Sequence, residues 1–148
     1  FTLMKYIFIF LSLIVAKHCH HKSTQPPVAF KVTYQGWSGG AAGSGHGIYY
    51  NVYVQMQKGA DIIFDSLWAN NLRVPLQPFT QNYSDTLQLV GQVFYPGEHN
   101  QDLELSYQSD VSKPLQTDAE AVVGYFINGQ RAYLLIDKLT VLKYLAYP

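Results

Sequence analysis

The chain has 148 residues, enough for one domain with a buried core. Ten basic and ten acidic residues cancel, and charged residues make up 14% of the chain, against the about 25% typical of soluble domains. Such a chain has no long-range electrostatic field, which argues against nucleic acids and acidic membrane surfaces as partners. Its single cysteine, Cys19, excludes an intramolecular disulfide framework and a cysteine-rich zinc site.

The N-terminal residues carry the pattern of an export signal. Tyr6 to Ala16 is an apolar run of eleven residues, and Lys5 precedes it. A helix of that length spans roughly half of the ~30 Å hydrocarbon core of a bilayer, so the run is too short for a membrane helix. It has the length of the apolar part of a secretory signal. The polar, proline-ended residues 20–27 predict a flexible tether.

Cys19 follows this run in an arrangement that resembles bacterial lipoprotein precursors, in which a cysteine after the apolar run becomes the lipidated first residue. The resemblance covers residues 1–19, which it assigns to the signal. It implies a lipid anchor at Cys19 in the inner or outer membrane of the cell envelope, with the domain facing the periplasm or the cell surface. His18 stands where that family has a small residue. The alternative is ordinary signal cleavage after Ala16, which gives a secreted protein with a free thiol.

From Val28 onward the chain alternates between apolar and polar residues, which predicts β-strands separated by turns. Pro75 and Pro78 limit one of these segments to the edge of a sheet, because proline cannot donate to a strand ladder. Gly91 predicts a bulge, and Asn128-Gly129 predicts a tight hairpin. The predicted strands are Val28–Gln35, Ile48–Gln57, Ile62–Trp68, Arg73–Phe79, Leu87–Tyr95, Leu103–Gln108, Ala121–Ile127, Gln130–Asp137 and Leu139–Tyr147, the last of which is alternatively a short helix.

These strands predict one all-β domain over residues 28–148. Seven to nine strands, with turn signals every eight to twelve residues, favour an antiparallel β-sandwich of the immunoglobulin-like kind. A β-barrel is the alternative architecture. The domain also resembles small β-sandwich proteins of the bacterial envelope.

The segment Gly36–Gly47 holds six of the eleven glycines and one of the two tryptophans, Trp37. It does not match a phosphate-binding loop, because His46 and Gly47 stand where a lysine and a hydroxyl residue are needed. We interpret it as a flexible connection between two strands. The alternative is a ligand-binding loop, since a bulky aromatic residue in a mobile loop is costly unless something covers it.

The candidate catalytic groups do not form a recognisable motif. His46 follows Ser44 in the glycine-rich segment, and Asp118 and Glu120 form a carboxylate pair only if the fold brings them near another acid. The alternating residues Glu98, Asn100 and Asp102 lack the glycine of a calcium loop. We expect no catalytic residue, no metal and no cofactor.

The candidate contact residues are Trp37, His46, Tyr49 and Tyr53. Tyr49 and Tyr53 share the outer face of their strand with Asn51, Gln55 and Gln57, and tyrosines beside amides can stack on a sugar or a partner protein. We expect an exported, lipid-anchored β-sandwich with a non-catalytic binding or structural role, whose partners are the membrane, through its anchor, and an envelope protein or glycan. A hydrolase acting on envelope glycans or peptides, through His46 or a carboxylate pair, is the alternative.

Overall fold

A computed structural model describes residues 25–41, 43–57, 59–79, 86–97 and 107–148. The predicted signal, Cys19, the first part of the tether, the Glu98–Asp102 loop and residues 103–106 of one predicted strand lie outside these ranges. Within them, no helix has the length and apolar character that a membrane crossing requires.

The described residues form ten strands in two sheets. Their bounds are β1 Val28–Ser38, β2 His46–Gln55, β3 Ile62–Ala69, β4 Leu72–Pro75, β5 Gln77–Phe79, β6 Thr86–Tyr95, β7 Ala121–Ile127, β8 Gln130–Ile136, β9 Thr140–Val141 and β10 Leu145–Ala146. One sheet has six strands in the order β10-β1-β2-β6-β5, with β9 also paired to β1, and the other has the order β4-β3-β7-β8. The predicted all-β sandwich is confirmed, because the two sheets stay separate and each keeps its own edges.

The described strands outnumber the predicted seven to nine because two predicted strands are each divided, although most of the predicted strand Leu103–Gln108 lies outside the described residues. The segment Arg73–Phe79 changes sheets at Leu76, so that β4 belongs to the four-stranded sheet and β5 to the six-stranded sheet. Leu139–Tyr147 forms the two short strands β9 and β10. Both run parallel to β1, whereas the other described pairs are antiparallel.

The predicted turn and edge residues lie where the sequence places them. Pro75 ends β4 and Pro78 lies within β5, and each of these strands is an outer strand of its sheet. Asn128 and Gly129 join β7 to β8 with φ values of 50° and 78°, the left-handed conformation that a two-residue hairpin requires.

The core lies between the inner faces of the two sheets. Alternate residues of β2 and β6 point inward, and they meet the inward residues of β3, β4 and β7. Fully buried members of this core include Tyr50, Val52, Val54, Leu67, Val74, Leu89, Val93 and Val123. Burial of these side chains stabilises the fold by about 1.5–3 kcal/mol for each large residue.

The predicted bulge at Gly91 is wrong. Strand β6 pairs with β2 residue by residue from Thr86 to Tyr95, and the register shifts lie instead at Phe30 in β1 and at Asp65 in β3. Gly91 faces the opposite sheet, where a Cβ would stand 2.9 Å from Val74 Cγ1. The glycine therefore allows β4 to approach β6 closely.

We expect Gly91→Ala to lower the free energy of unfolding by about 1–3 kcal/mol, because the added methyl group overpacks a rigid interface. In a Val74→Ala background the same substitution should cost less, since the nearest opposing atom is gone. Chemical denaturation of the two single variants and the double variant measures this coupling. Strictly additive effects would contradict the steric explanation.

Candidate functional site

The outer face of the six-stranded sheet collects aromatic and amide side chains, and we call it the aromatic-amide face. Alternation places every second residue of each strand on this side, and the register aligns these residues across the strands. Lys31, Tyr53 and Gln88, for example, form one row. The next rows toward the other end are aligned by the same pairings. The members of the face are Lys31, Thr33, Gln35, Trp37, Tyr49, Asn51, Tyr53, Gln77, Phe79, Gln88, Val90, Gln92 and Phe94.

Trp37 lies at one end of this face, inside an aromatic cluster. Its ring stacks on Tyr49 and Phe94, with centroids 5.7 and 5.9 Å apart, and Tyr147 meets it edge-on at 6.3 Å. Gly47 leaves the room for the indole, because a Cβ there would stand 2.8 Å from two of its ring atoms. Trp37 is therefore buried in β1 and does not belong to a flexible loop. The connection is shorter than predicted, because β1 extends to Ser38 and β2 begins at His46.

The face has two aromatic platforms: the first is Tyr49 with the Trp37 cluster behind it, and the second is Tyr53. Its ring is half-buried, with its centroid 6.2 Å from that of the exposed Phe30, and Lys31 Nζ lies 5.8 Å from the centroid. Tyr49 and Tyr53 are four residues apart on one strand, so the two platforms are separated by about 13 Å along β2.

Amide groups occupy the space between the two platforms. Gln88 Nε2 donates to Asn51 Oδ1 at 3.0 Å, which leaves Gln88 Oε1 and Asn51 Nδ2 as the groups that a ligand hydroxyl could contact. Gln35 Nε2 donates to the Lys143 carbonyl at 2.8 Å and so ties the C-terminal segment to this edge of the face. Among the described residues of the face, Lys31 alone is charged.

The hydroxyl of Tyr49 stays protonated at neutral pH. Burial, and then the charge of the neighbouring Tyr147, raises the pKa of Tyr49 above its ordinary value. The phenol can therefore donate a hydrogen bond to a ligand as well as present its ring.

His46 points to the other side of β2, away from Tyr49 and Tyr53. It is exposed, and its ring stacks on Tyr95 with centroids 4.9 Å apart. Tyr95 lines an open cleft of about 760 Å³ between the ends of the two sheets. The four predicted contact residues thus divide between two surfaces, with Trp37, Tyr49 and Tyr53 on the aromatic-amide face and His46 beside the cleft.

The cleft also brings the two predicted carboxylates to one surface. Asp118 and Glu120 both line it, together with Tyr34, Asn70 and Asn71. Glu120 Oε2 accepts the Leu139 N–H at 2.6 Å, so this carboxylate holds the start of the C-terminal segment. In the part of the chain that the structure describes, no three His, Cys, Asp or Glu side chains are grouped so that they could hold a metal ion.

Comparisons with protein-family models, with curated proteins and with solved structures each found no match. The functional argument therefore depends on the geometry of this chain.

Sequence reasoning missed the part of the aromatic-amide face that β5 and β6 contribute. The sequence did carry a signal for these residues, because alternation in the segment Leu87–Tyr95 puts Gln88, Gln92 and Phe94 on the outer side of the strand. What was missing was the pairing of β2 with β6, which are distant in the sequence. Only that pairing brings Phe94 to Trp37 and Gln88 to Asn51.

Tyr50 lies in the core and contacts Asn70 at the cleft, and its hydroxyl makes the stability of the fold depend on pH in the alkaline range. Its hydroxyl accepts a hydrogen bond from Asn70 Nδ2 at 3.2 Å. Burial raises the pKa of Tyr50 above 10.0, although the bond from Asn70 opposes part of this shift. The folded protein therefore keeps a proton that the unfolded chain begins to lose near pH 10.

We expect the free energy of unfolding to fall as the pH rises above about 10, and Tyr50→Phe to fall less steeply, because phenylalanine has no proton to lose. Urea denaturation at several pH values between neutrality and the alkaline limit measures both profiles. Parallel profiles for the two proteins would show that Tyr50 does not contribute.

Proposed function

We propose that this protein is an exported, lipid-anchored module of the bacterial cell envelope that binds a neutral glycan through its aromatic-amide face and catalyses no reaction. The observation that carries the proposal is the composition of that face: two aromatic platforms with amides between them, and Lys31 as the one charge among its described residues.

The chemistry of the face matches that of an uncharged sugar. A sugar ring has apolar C–H surfaces, which pack on the rings of Tyr49 and Tyr53, and hydroxyl groups, which pair with amides. Asn51 and Gln88 offer both a donor and an acceptor between the platforms. A strongly anionic ligand would leave its charge without a partner here, except at Lys31.

The separation of the platforms favours an oligosaccharide over a single sugar. Tyr49 and Tyr53 lie about 13 Å apart along β2, which is wider than one sugar ring. A ligand that contacts both must therefore extend along the strand, over the amides of Asn51 and Gln88.

The proposed anchor places the face close to a membrane. Residues 20–27 number eight, and a fully extended chain of that length spans at most about 28 Å. The domain begins at Val28, the first residue of β1. The proposed ligand is therefore a glycan of the envelope itself.

We expect Tyr53→Ala to weaken binding of neutral envelope oligosaccharides about threefold to tenfold, because an aromatic stacking contact contributes about 0.5–1.5 kcal/mol. Isothermal titration calorimetry with purified cell-wall glycan fragments of increasing length measures the affinity. Tyr107→Ala is the matched control, since Tyr107 is a half-buried tyrosine that packs on Tyr95 and lies on neither the aromatic-amide face nor β8. Equal affinities for the two variants, both folded by circular dichroism, would refute the proposed binding face.

The same incubations test the hydrolase alternative, which the cleft with Asp118 and Glu120 supports. The binding proposal expects the glycan fragments to be recovered intact by mass spectrometry. Cleavage that Asp118→Asn abolishes and Tyr53→Ala retains would assign the protein to the hydrolases instead.

We expect the chain purified from its native membrane fraction to begin at Cys19 and to carry acyl chains by intact-mass analysis. Cys19→Ala should remain unacylated, because alanine has no thiol to modify. An unacylated wild-type mass beginning at Lys17 would exclude the anchor and leave a secreted protein. That result would leave the glycan-binding face unaffected.

A further inference from the structure

The described sheet edges differ in how they are protected against pairing with another chain. At one edge of the six-stranded sheet β5 has three residues and contains Pro78, and at the other β1 is covered by β9 and β10. Strand β4 ends in Pro75, and Arg73 exchanges backbone hydrogen bonds with Gln108. Strand β8 is seven residues long, and among the described residues no strand pairs with its outer side.

The composition of β8 does not compensate for this exposure. Natural edge strands carry prolines, bulges or free lysines that prevent pairing with another chain. The sequence of β8, QRAYLLI, has no proline or glycine, and its one charged residue is Arg131. Arg131 Nη1 bonds Asp65 at 2.8 Å, and the guanidinium lies over the rings of Phe126 and Tyr133. This charge is therefore directed onto the sheet face and not outward along the edge.

The register of the β7–β8 hairpin shows which backbone N–H and C=O groups of β8 are free to bond a partner strand. In a two-residue hairpin the residues next to the turn, here Ile127 and Gln130, exchange both backbone hydrogen bonds. Alternation then points the N–H and C=O groups of Arg131, Tyr133 and Leu135 away from β7. These groups form a regular ladder edge.

We propose that a second copy of this chain pairs with β8 in the antiparallel direction, about a two-fold axis beside Leu134, and joins the two four-stranded sheets into one sheet of eight strands. Leu134 then lies opposite Leu134 of the second copy. Arg131 lies opposite Asp137 of the second copy, and Tyr133 lies opposite its Leu135.

The charges and the side-chain pattern select this register. A shift of one residue would place inner-face side chains opposite outer-face ones. The register that sets Tyr133 opposite itself would pair Arg131 with Leu135 and leave Asp137 outside the ladder. In the proposed register Asp137 joins the outer face beside Arg131, which has N–H donors beyond the one that bonds Asp65, and Leu135, which is 51% exposed, is covered by an aromatic ring. The self-complementary charges and apolar pairs favour a second copy over an unrelated strand.

Pairing across this axis has a consequence for binding, which rests on the proposed function. The inner faces of both four-stranded sheets lie on the same side of the joined sheet, so both six-stranded sheets also lie on that side. Their two aromatic-amide faces then point in one direction. Two linked sites on one surface raise the apparent affinity for a repeating glycan without any new contact.

Sedimentation velocity on the detergent-purified full chain carrying Cys19→Ala tests the proposal without acyl chains or a free thiol. We expect a dimer whose dissociation constant rises at least tenfold in Leu135→Pro and in Asp137→Lys. Leu135→Pro removes a donor that points away from β7, and Asp137→Lys sets a lysine opposite Arg131. Asp118→Lys is the matched control, since it makes the same charge change away from β8. A monomeric parent chain, or a dimer unaffected by both β8 substitutions, would overturn the proposal.

A crosslink fixes the register independently of these equilibria. In the same background, Leu134→Cys should form a disulfide-linked dimer on mild oxidation, because directly opposed residues in an antiparallel pair have Cβ atoms about 4.5–5.5 Å apart. Leu135→Cys should link poorly, since its partner is Tyr133 of the other copy. Efficient linking through position 135 and not 134 would exclude this register. The readout needs no glycan, so its failure is distinguishable from failure of the proposed function.

Discussion

Val52, Leu89 and Val123 are fully buried between the two sheets, and the positions of the other strands depend on this apolar interface. Each large side chain buried there contributes about 1.5–3 kcal/mol. A slip of one residue in any central strand would turn its apolar residues to solvent, so the interface fixes the register of the ladders. The same constraint fixes the outer faces. Tyr49 and Tyr53 point outward because their neighbours Tyr50, Val52 and Val54 must point inward.

The two outer faces use aromatic residues in different ways. On the four-stranded sheet, Trp68 is buried beneath two cations, with Arg73 and Arg131 at 5.3 and 5.6 Å from its ring. Asp65 lies 2.8 Å from Arg131 and 3.7 Å from Arg73. Asp65 Oδ2 pairs with both arginines, whose guanidinium groups lie over the Trp68 ring, so these contacts stabilise that face. On the aromatic-amide face, Tyr53 is only half-buried and has a single cation near its ring, Lys31, and this difference directs the binding proposal to the six-stranded sheet.

The candidate site was partly accessible from sequence. Period-two alternation placed Tyr49, Tyr53 and Asn51 on one outer face, and the structure brings them together there. Trp37 joins them, but as a buried member of β1 and not as part of a loop, because Gly47 and Phe94 complete its surroundings. His46 is an odd number of residues from Tyr49 along β2, so alternation puts it on the opposite side of the strand. The contributions of Phe94 and Gln88 required the pairing of β2 with β6, which are separated by thirty residues, between Gln55 and Thr86.

The sequence by itself determined the positions of most strands, the inward and outward residues of β2 and β6, the Asn128-Gly129 hairpin and the edge positions of Pro75 and Pro78. These features depend on alternation, on backbone conformation and on a missing donor, all of which are local properties of the chain. Tertiary structure decided the order of strands in each sheet, the division of Arg73–Phe79 between two sheets, the parallel pairing of β9 and β10, and the close approach that requires Gly91. Each of these depends on which distant segment packs against the strand. The pairing of two distant strands produces no repeating pattern in the sequence of either strand, so it cannot be read from the sequence alone.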